Sequence, residues 1–172
     1  NKSTSEPITN VMFDVTPTVL TILSAIANSP IHHTKISLSI SEPLEFGSVR
    51  WVVSEGNDPK TPHIIPLDGD LLKGGDFIDF DFSAPPTLVN GVTYSIIIEG
   101  TDLAGNTSKA YAVDGILFDT IPPEFVDILP VDGAHIREPD ISYTLTEDLA
   151  EGKIYFNHAG GSSDPKTTHM IT

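Results

Sequence analysis

Residues 11–17 read Val11-Met12-Phe13-Asp14-Val15-Thr16-Pro17, and residues 116–122 read Ile116-Leu117-Phe118-Asp119-Thr120-Ile121-Pro122, so Phe13 and Phe118 stand 105 positions apart. Aligned without a gap, 13–51 over 118–156 pairs Ile31 with Ile136, Ile36-Ser37 with Ile141-Ser142, Glu42 with Glu147, Leu44 with Leu149 and Gly47 with Gly152. Val49 and Trp51 meet the conservative partners Ile154 and Phe156. One inserted residue later, Asp58-Pro59-Lys60-Thr61-Pro62-His63 returns as Asp164-Pro165-Lys166-Thr167-Thr168-His169. A period of about 105 residues confines the fold to units that close within one period and are strung in tandem. The predicted layout is the last strand of a preceding repeat over 1–13, a complete repeat over 14–118 and the first half of a following repeat over 119–172.

Within one period the chain is punctuated into short strands. Residues 19–23 are rich in β-branched residues, and Ile36-Ser37-Leu38-Ser39-Ile40 alternates with period two. Ser41-Glu42-Pro43-Leu44 carries turn chemistry, after which Val49, Trp51 and Val53 alternate, with Trp51 as the core aromatic. A turn at Gly56-Asn57-Asp58-Pro59 precedes a short strand at 63–65 and a loop over 67–75. Phe77-Ile78-Asp79-Phe80-Asp81-Phe82 predicts a strand with Ile78, Phe80 and Phe82 inward and Asp79 and Asp81 in water. Residues 92–98 and 108–118 complete the set, with Tyr94 placed to tie its hydroxyl back to nearby backbone. Seven short strands in about 100 residues, without a credible amphipathic helix, argue an all-β, immunoglobulin-like β-sandwich. Half a sandwich over 119–172 would bare its inner face and an unpaired edge, so the expectation is an excerpt of a longer ordered protein.

Composition narrows the function classes. With 24 acidic against 9 basic residues the net charge is -15, a field that disfavours nucleic acid and anionic membranes and attracts cations. The absence of cysteine excludes disulfides, thiolate metal sites and a cysteine nucleophile. No run of about 18 apolar residues is present, so direct membrane insertion is not expected. No nucleophile elbow or phosphate loop occurs, Asp79 and Asp81 alternate as a wet strand face, and the six histidines lack zinc-ligand spacing. No catalytic residue is therefore assigned.

Asp102-Leu103-Ala104-Gly105-Asn106, Asp119-Thr120-Ile121-Pro122-Pro123, Ser41-Glu42-Pro43-Leu44 and Tyr143-Thr144-Leu145-Thr146-Glu147-Asp148-Leu149, with Gly160-Gly161 after it, resemble the bacterial Ig-like repeats of very large surface proteins. The resemblance covers essentially the whole chain. It implies a secreted or cell-surface location and a mechanical role in an adhesin stalk or filament. The partners it implies are neighbouring repeats of the same chain and other copies in a filament. The single proline at Pro17, against Pro122-Pro123, departs from the linker pattern and predicts a less stiff first junction. A carbohydrate- or protein-binding module, or a spacer in a secreted enzyme, is the alternative.

In a sandwich of this strand order the start of the first strand and three of the loops share one pole. That gathers Asp14, Glu42, Asp68, Asp70 and Asp102 at one junction, with Asp119 and Glu147 as equivalents at the next. Clustered carboxylates without Lys or Arg repel one another unless a cation joins them, and calcium takes six to eight oxygens. Calcium between modules is the expected cofactor, set against the plainer expectation that Asp102 caps its own loop.

Overall fold

The computed structural model describes residue 9 and residues 11–172. Among them the architecture is all-β, with several sheets, one 3₁₀ turn and no α-helix. No helix is long and apolar enough to cross a membrane. The chain divides into two compact units, 1–120 and 121–172. The strand expected over 1–13 falls mostly outside the described residues; Val11, Met12 and Phe13 form no strand and are exposed.

Unit 1 has two sheets. β1 (Leu20–Ile22), β3 (Ile36–Ile40) and β6 (Gly75–Phe80) form one, in the order β1-β3-β6. The other contains β2 (Pro30–Ile31), β4 (Leu44–Glu55), β5 (His63–Pro66), β7 (Val92–Asp102) and β8 (Tyr111–Phe118), in the order β2-β8-β7-β4-β5. All pairs are antiparallel except β2 with β8. The two-residue β2 was not foreseen, being too short to show alternation.

Period-two alternation explains the core. Along β7, Val92, Tyr94, Ile96 and Ile98 are buried while the residues between them are partly open. Opposite them on β4, Val49 pairs Ile98, Trp51 pairs Ile96 and Val53 pairs Tyr94. Trp51 is wholly buried and meets the Tyr94 ring edge-on at 6.3 Å. Leu20, Ile22, Ile36, Leu38 and Ile40 supply the facing sheet's share of one continuous apolar cluster.

The alternation expected over 77–82 needs correction. Ile78 is 71% exposed, whereas Phe77 and Phe80 pack against the core. The cause is a bulge: Ile36 pairs Phe80 but Leu38 pairs Phe77, which leaves an extra residue on β6. Asp79 takes it up at φ 47, with its N–H donated to Ser37 Oγ at 2.9 Å. One inserted residue re-phases a strand and turns the next side chains over. Phe82 is buried as expected, and Asp81 lies 3.2 Å from Lys35 Nζ.

Unit 2 contains two hairpin-like pairs: β9 (Phe125–Leu129) with β10 (Ser142–Leu145), and β11 (Ile154–Phe156) with β12 (His169–Ile171). Their registers reproduce those of unit 1 at several positions, although β9–β10 carries a bulge between the Thr144–Val126 and Ser142–Leu129 pairs that β1–β3 lacks. Leu20 pairs Ile40 and Phe125 pairs Leu145; Val49 pairs Ile65 and Ile154 pairs Ile171; Trp51 pairs His63 and Phe156 pairs His169. The bonds that open the first pair match too: Val19 N–H donates to Ser41 Oγ at 2.9 Å, and Glu124 N–H to Thr146 Oγ1 at 2.8 Å.

Candidate functional site

Three acidic side chains meet in unit 1. Ligand atoms of Asp14, Glu42 and Asp102 lie within 4.8 Å of one another, beside a cleft of about 300 Å³ that they line with Met12, Pro43, Leu103 and Ala104. Asp102 ends β7 and is buried; Glu42 sits in the turn between β3 and β4; Asp14 precedes β1. The backbone of Glu42 is packed against Gly74, where a Cβ would come within 2.9 Å of the Glu42 carbonyl carbon. A glycine at φ 77 therefore lets the loop after the 3₁₀ turn Gly69–Lys73 approach and seat Glu42.

The Asp102 carboxylate organises its own loop. Oδ1 accepts the N–H groups of Ala104 at 2.8 Å and Asn106 at 2.9 Å, and Oδ2 accepts Asn106 Nδ2 at 2.9 Å. Burial pushes the Asp102 carboxyl up, but the Asn106 side-chain bond and the backbone N–H groups outweigh it, so the group stays below the usual carboxylate range. Asn106 Nδ2 also donates to the Asp14 carbonyl at 3.2 Å, tying the segment before β1 to the end of β7. The expectation that Asp102 caps its own loop is thus met in detail. The sequence marks Asn106 only as part of the loop; in the structure its side chain bonds both Asp102 and the Asp14 carbonyl and ties Asp14 in.

Asp68 and Asp70, expected at the same pole, are not part of this group. Asp68 is exposed at the start of the 3₁₀ turn, and Asp70 is exposed and paired with Lys73 Nζ at 2.6 Å. The Lys73 hydrogen bond and charge hold Asp70 below the usual range. Asp119 follows β8, with its N–H donated to the Ile31 carbonyl at 2.9 Å, and belongs to unit 1. Glu147 belongs to unit 2 and follows β10.

A second polar constellation was not foreseen as a unit. Asp58, 4% exposed, accepts the Tyr94 hydroxyl at 2.7 Å, His63 Nε2 at 2.7 Å and the Lys60 N–H at 2.9 Å. The His63 bond, opposed by burial and aided by Lys60 and Tyr94, holds the Asp58 carboxyl down at about 2. Burial, with Asp58 beside it, pushes the Tyr94 hydroxyl up to about 12 against the Val89 N–H that it accepts at 3.0 Å. An ionised acceptor facing three donors is a satisfied network. The signal in the sequence was the recurrence of Asp58-Pro59-Lys60-Thr61 with His63. In unit 2, Asp164 accepts His169 Nε2 at 2.7 Å and the Lys166 N–H at 2.9 Å.

Compared with family models, with curated proteins and with solved structures, the chain matches none.

Proposed function

We propose that the chain is a structural module of a bacterial extracellular repeat protein, in which immunoglobulin-like sandwiches in tandem set the distance and stiffness of a stalk or filament. The observation that carries this is the recurrence of strand registers, with Leu20–Ile40 and Val49–Ile65 returning as Phe125–Leu145 and Ile154–Ile171. The two-sheet order of unit 1, with a buried tryptophan and a tyrosine tied back to backbone, supports the sandwich reading. A mechanical module should resist extension. Pulled by its ends in an atomic-force instrument, the chain is expected to give one force peak as residues 20–118 open, releasing roughly 350 Å at about 3.5 Å per residue. Extension without a resolved peak would overturn the mechanical role.

Calcium at Asp14, Glu42 and Asp102 belongs to this proposal as a stiffener. The donors are all oxygen, which suits a hard cation, but three of the roughly four lone-pair positions of Asp102 already accept hydrogen bonds. The group therefore suits a largely hydrated ion held weakly, near the 10⁻⁴ to 10⁻³ M typical of extracellular modules. Several millimolar calcium is expected to raise the Tm of unit 1, and Glu42→Gln to remove that rise; a Tm unmoved from excess chelator would sink it.

One observation favours the second reading, a ligand-binding module. Phe46 is 60% exposed beside a cleft of about 560 Å³ lined also by Pro66, Glu99 and Thr107. Retention of the chain on immobilised glycans, lost in Phe46→Ala, would favour that reading over the mechanical one.

A further inference from the structure

Unit 2 repeats the register of β4 with β5 but leaves β11 with one partner. In unit 1, β4 lies between β5 and β7; among the described residues, β11 is paired with β12 alone. Between the two strand pairs of unit 2 runs a groove of about 530 Å³ lined by Phe125, Tyr143, Leu145, Leu149, Ile154 and Ile171. Five of these six occupy the positions of Leu20, Leu38, Ile40, Leu44 and Val49 displaced by 105, and Ile171 that of Ile65 displaced by 106, all buried in unit 1. The corresponding space in unit 1 is closed by Ile96 and Ile98 of β7.

The polar groups at this edge match as well. Val53 N–H donates to Thr61 Oγ1 and His158 N–H to Thr167 Oγ1, both at 3.0 Å, so the Asp-Pro-Lys-Thr loop is seated alike in both units. In unit 1 the Asp58 carboxylate also takes the Tyr94 hydroxyl, and Tyr94 packs edge-on to His63 and Trp51. In unit 2 the Asp164 carboxylate is bonded on the same sides, by His169 and Lys166, and is half-buried with room for a third donor.

We infer that unit 2 is an acceptor for a β-hairpin with the chemistry of residues 92–118, laid antiparallel along the free edge of β11 with a tyrosine hydroxyl on Asp164. The inference rests on the repeat reading and names the partner that reading requires. Three features select the occupant. The open edge of β11 offers main-chain hydrogen bonds, the groove takes apolar side chains at every second position, and the carboxylate takes a neutral phenol donor. Charge points the same way at the loop: the half-buried Asp164 carboxylate favours a neutral donor over another carboxylate.

The test adds a synthetic peptide of residues 90–118 to the 172-residue chain. Saturable binding is expected, with amide exchange slowed across Ile154–Phe156, and with Tyr94→Phe in the peptide weakening binding by about tenfold through the lost bond to a charged acceptor. Asp164→Ala in the chain is expected to weaken the unmodified peptide to a similar degree. Equal affinity of the tyrosine and phenylalanine peptides, or no binding while the β11–β12 amides of the free chain are protected, would overturn the acceptor and leave the repeat standing. Free chain without any protection at β11 and β12 would instead remove the repeat reading itself.

Discussion

Leu20 is 4% exposed and its counterpart Phe125 is 43% exposed; Leu38 is wholly buried and Tyr143 is 42% exposed. The two units share registers, turn bonds and apolar positions, yet only unit 1 closes a core. The difference lies in what stands opposite the shared strands. In unit 1, β7 lays four alternating apolar residues beside those of β4 and packs against β1 of the facing sheet, whereas the β11–β12 and β9–β10 pairs of unit 2 stand beside an open groove. Local sequence can therefore set strand pairing and turn geometry, while burial, which supplies most of the stability, depends on strands distant in the chain.

The sharpest way to break the comparison is to cut the same position in both units. Trp51→Ala removes a wholly buried side chain and is expected to cost about 3–5 kcal/mol, read as a lower urea midpoint for unit 1. Phe156→Ala, at the equivalent place in unit 2, is expected to leave that midpoint unchanged, because the residue lies outside unit 1. A loss shared by both substitutions would mean that the units unfold as one.

Acid should separate the units next. The Asp58 carboxyl is depressed from its ordinary 3.8 to about 2 in the folded state. Its contribution to stability is thus full above the unfolded value near 4 and is lost as pH falls through about 2, and it is on the order of 2 kcal/mol. Unit 1 is expected to lose stability between pH 4 and 2, and Asp58→Asn to flatten that limb of a stability-versus-pH curve. Asp164 is depressed in the same direction by the His169 bond but is far more open, so Asp164→Asn is expected to leave the curve as it is.

Tyr94→Phe sharpens the same contrast without changing charge. It removes the hydroxyl that bridges Asp58 and the Val89 N–H, and about 1.5–3 kcal/mol is expected to go with the bond to the carboxylate. Thermal melts of unit 1 would register the loss, and an unchanged Tm would show that water replaces the hydroxyl at no cost.

How much of this could be read from the sequence depends on the range of the interaction. The alternation of Ile36, Leu38 and Ile40, the burial of Trp51 and the turn at Asp102 follow from neighbours in sequence, and each appears in the structure. The face of β6 could not be read, because Asp79 adopts φ 47 against Ser37, a partner 42 positions away. Of the seven acidic candidates, Asp14, Glu42 and Asp102 come together, through Asn106 and the close approach of Gly74. Asp70 instead pairs with Lys73, three residues on in the same 3₁₀ turn. The Asp58–His63–Tyr94 network was hidden because Tyr94 lies 36 positions from Asp58 and a repeated turn shows only its local half.

The smallest expected effect comes from a single methyl group. Gly47 and Gly152 are equivalent by sequence, but a Cβ at Gly47 would stand 2.8 Å from Leu67 Cδ1 and 2.9 Å from the Glu99 carbonyl oxygen. The leucine can turn, whereas the carbonyl belongs to β7 and is fixed by the β4–β7 ladder, so alanine there must push the two strands apart. Gly47→Ala is expected to cost about 1–3 kcal/mol as overpacking, at the lower end if β4 relaxes toward its bulge between Leu44 and Phe46. At Gly152 a Cβ would meet only Leu149 Cδ1 at 3.3 Å, a flexible side-chain end in an open groove. Gly152→Ala is expected to be neutral to within about 0.5 kcal/mol, and hydrogen exchange at β11 should not change. If a β7-type strand occupies the edge of β11, the same methyl would meet its carbonyl as the Gly47 methyl meets that of Glu99. Gly152→Ala should then become disruptive only in the presence of the 90–118 peptide, which turns one silent substitution into a reporter of the strand that separates the two units.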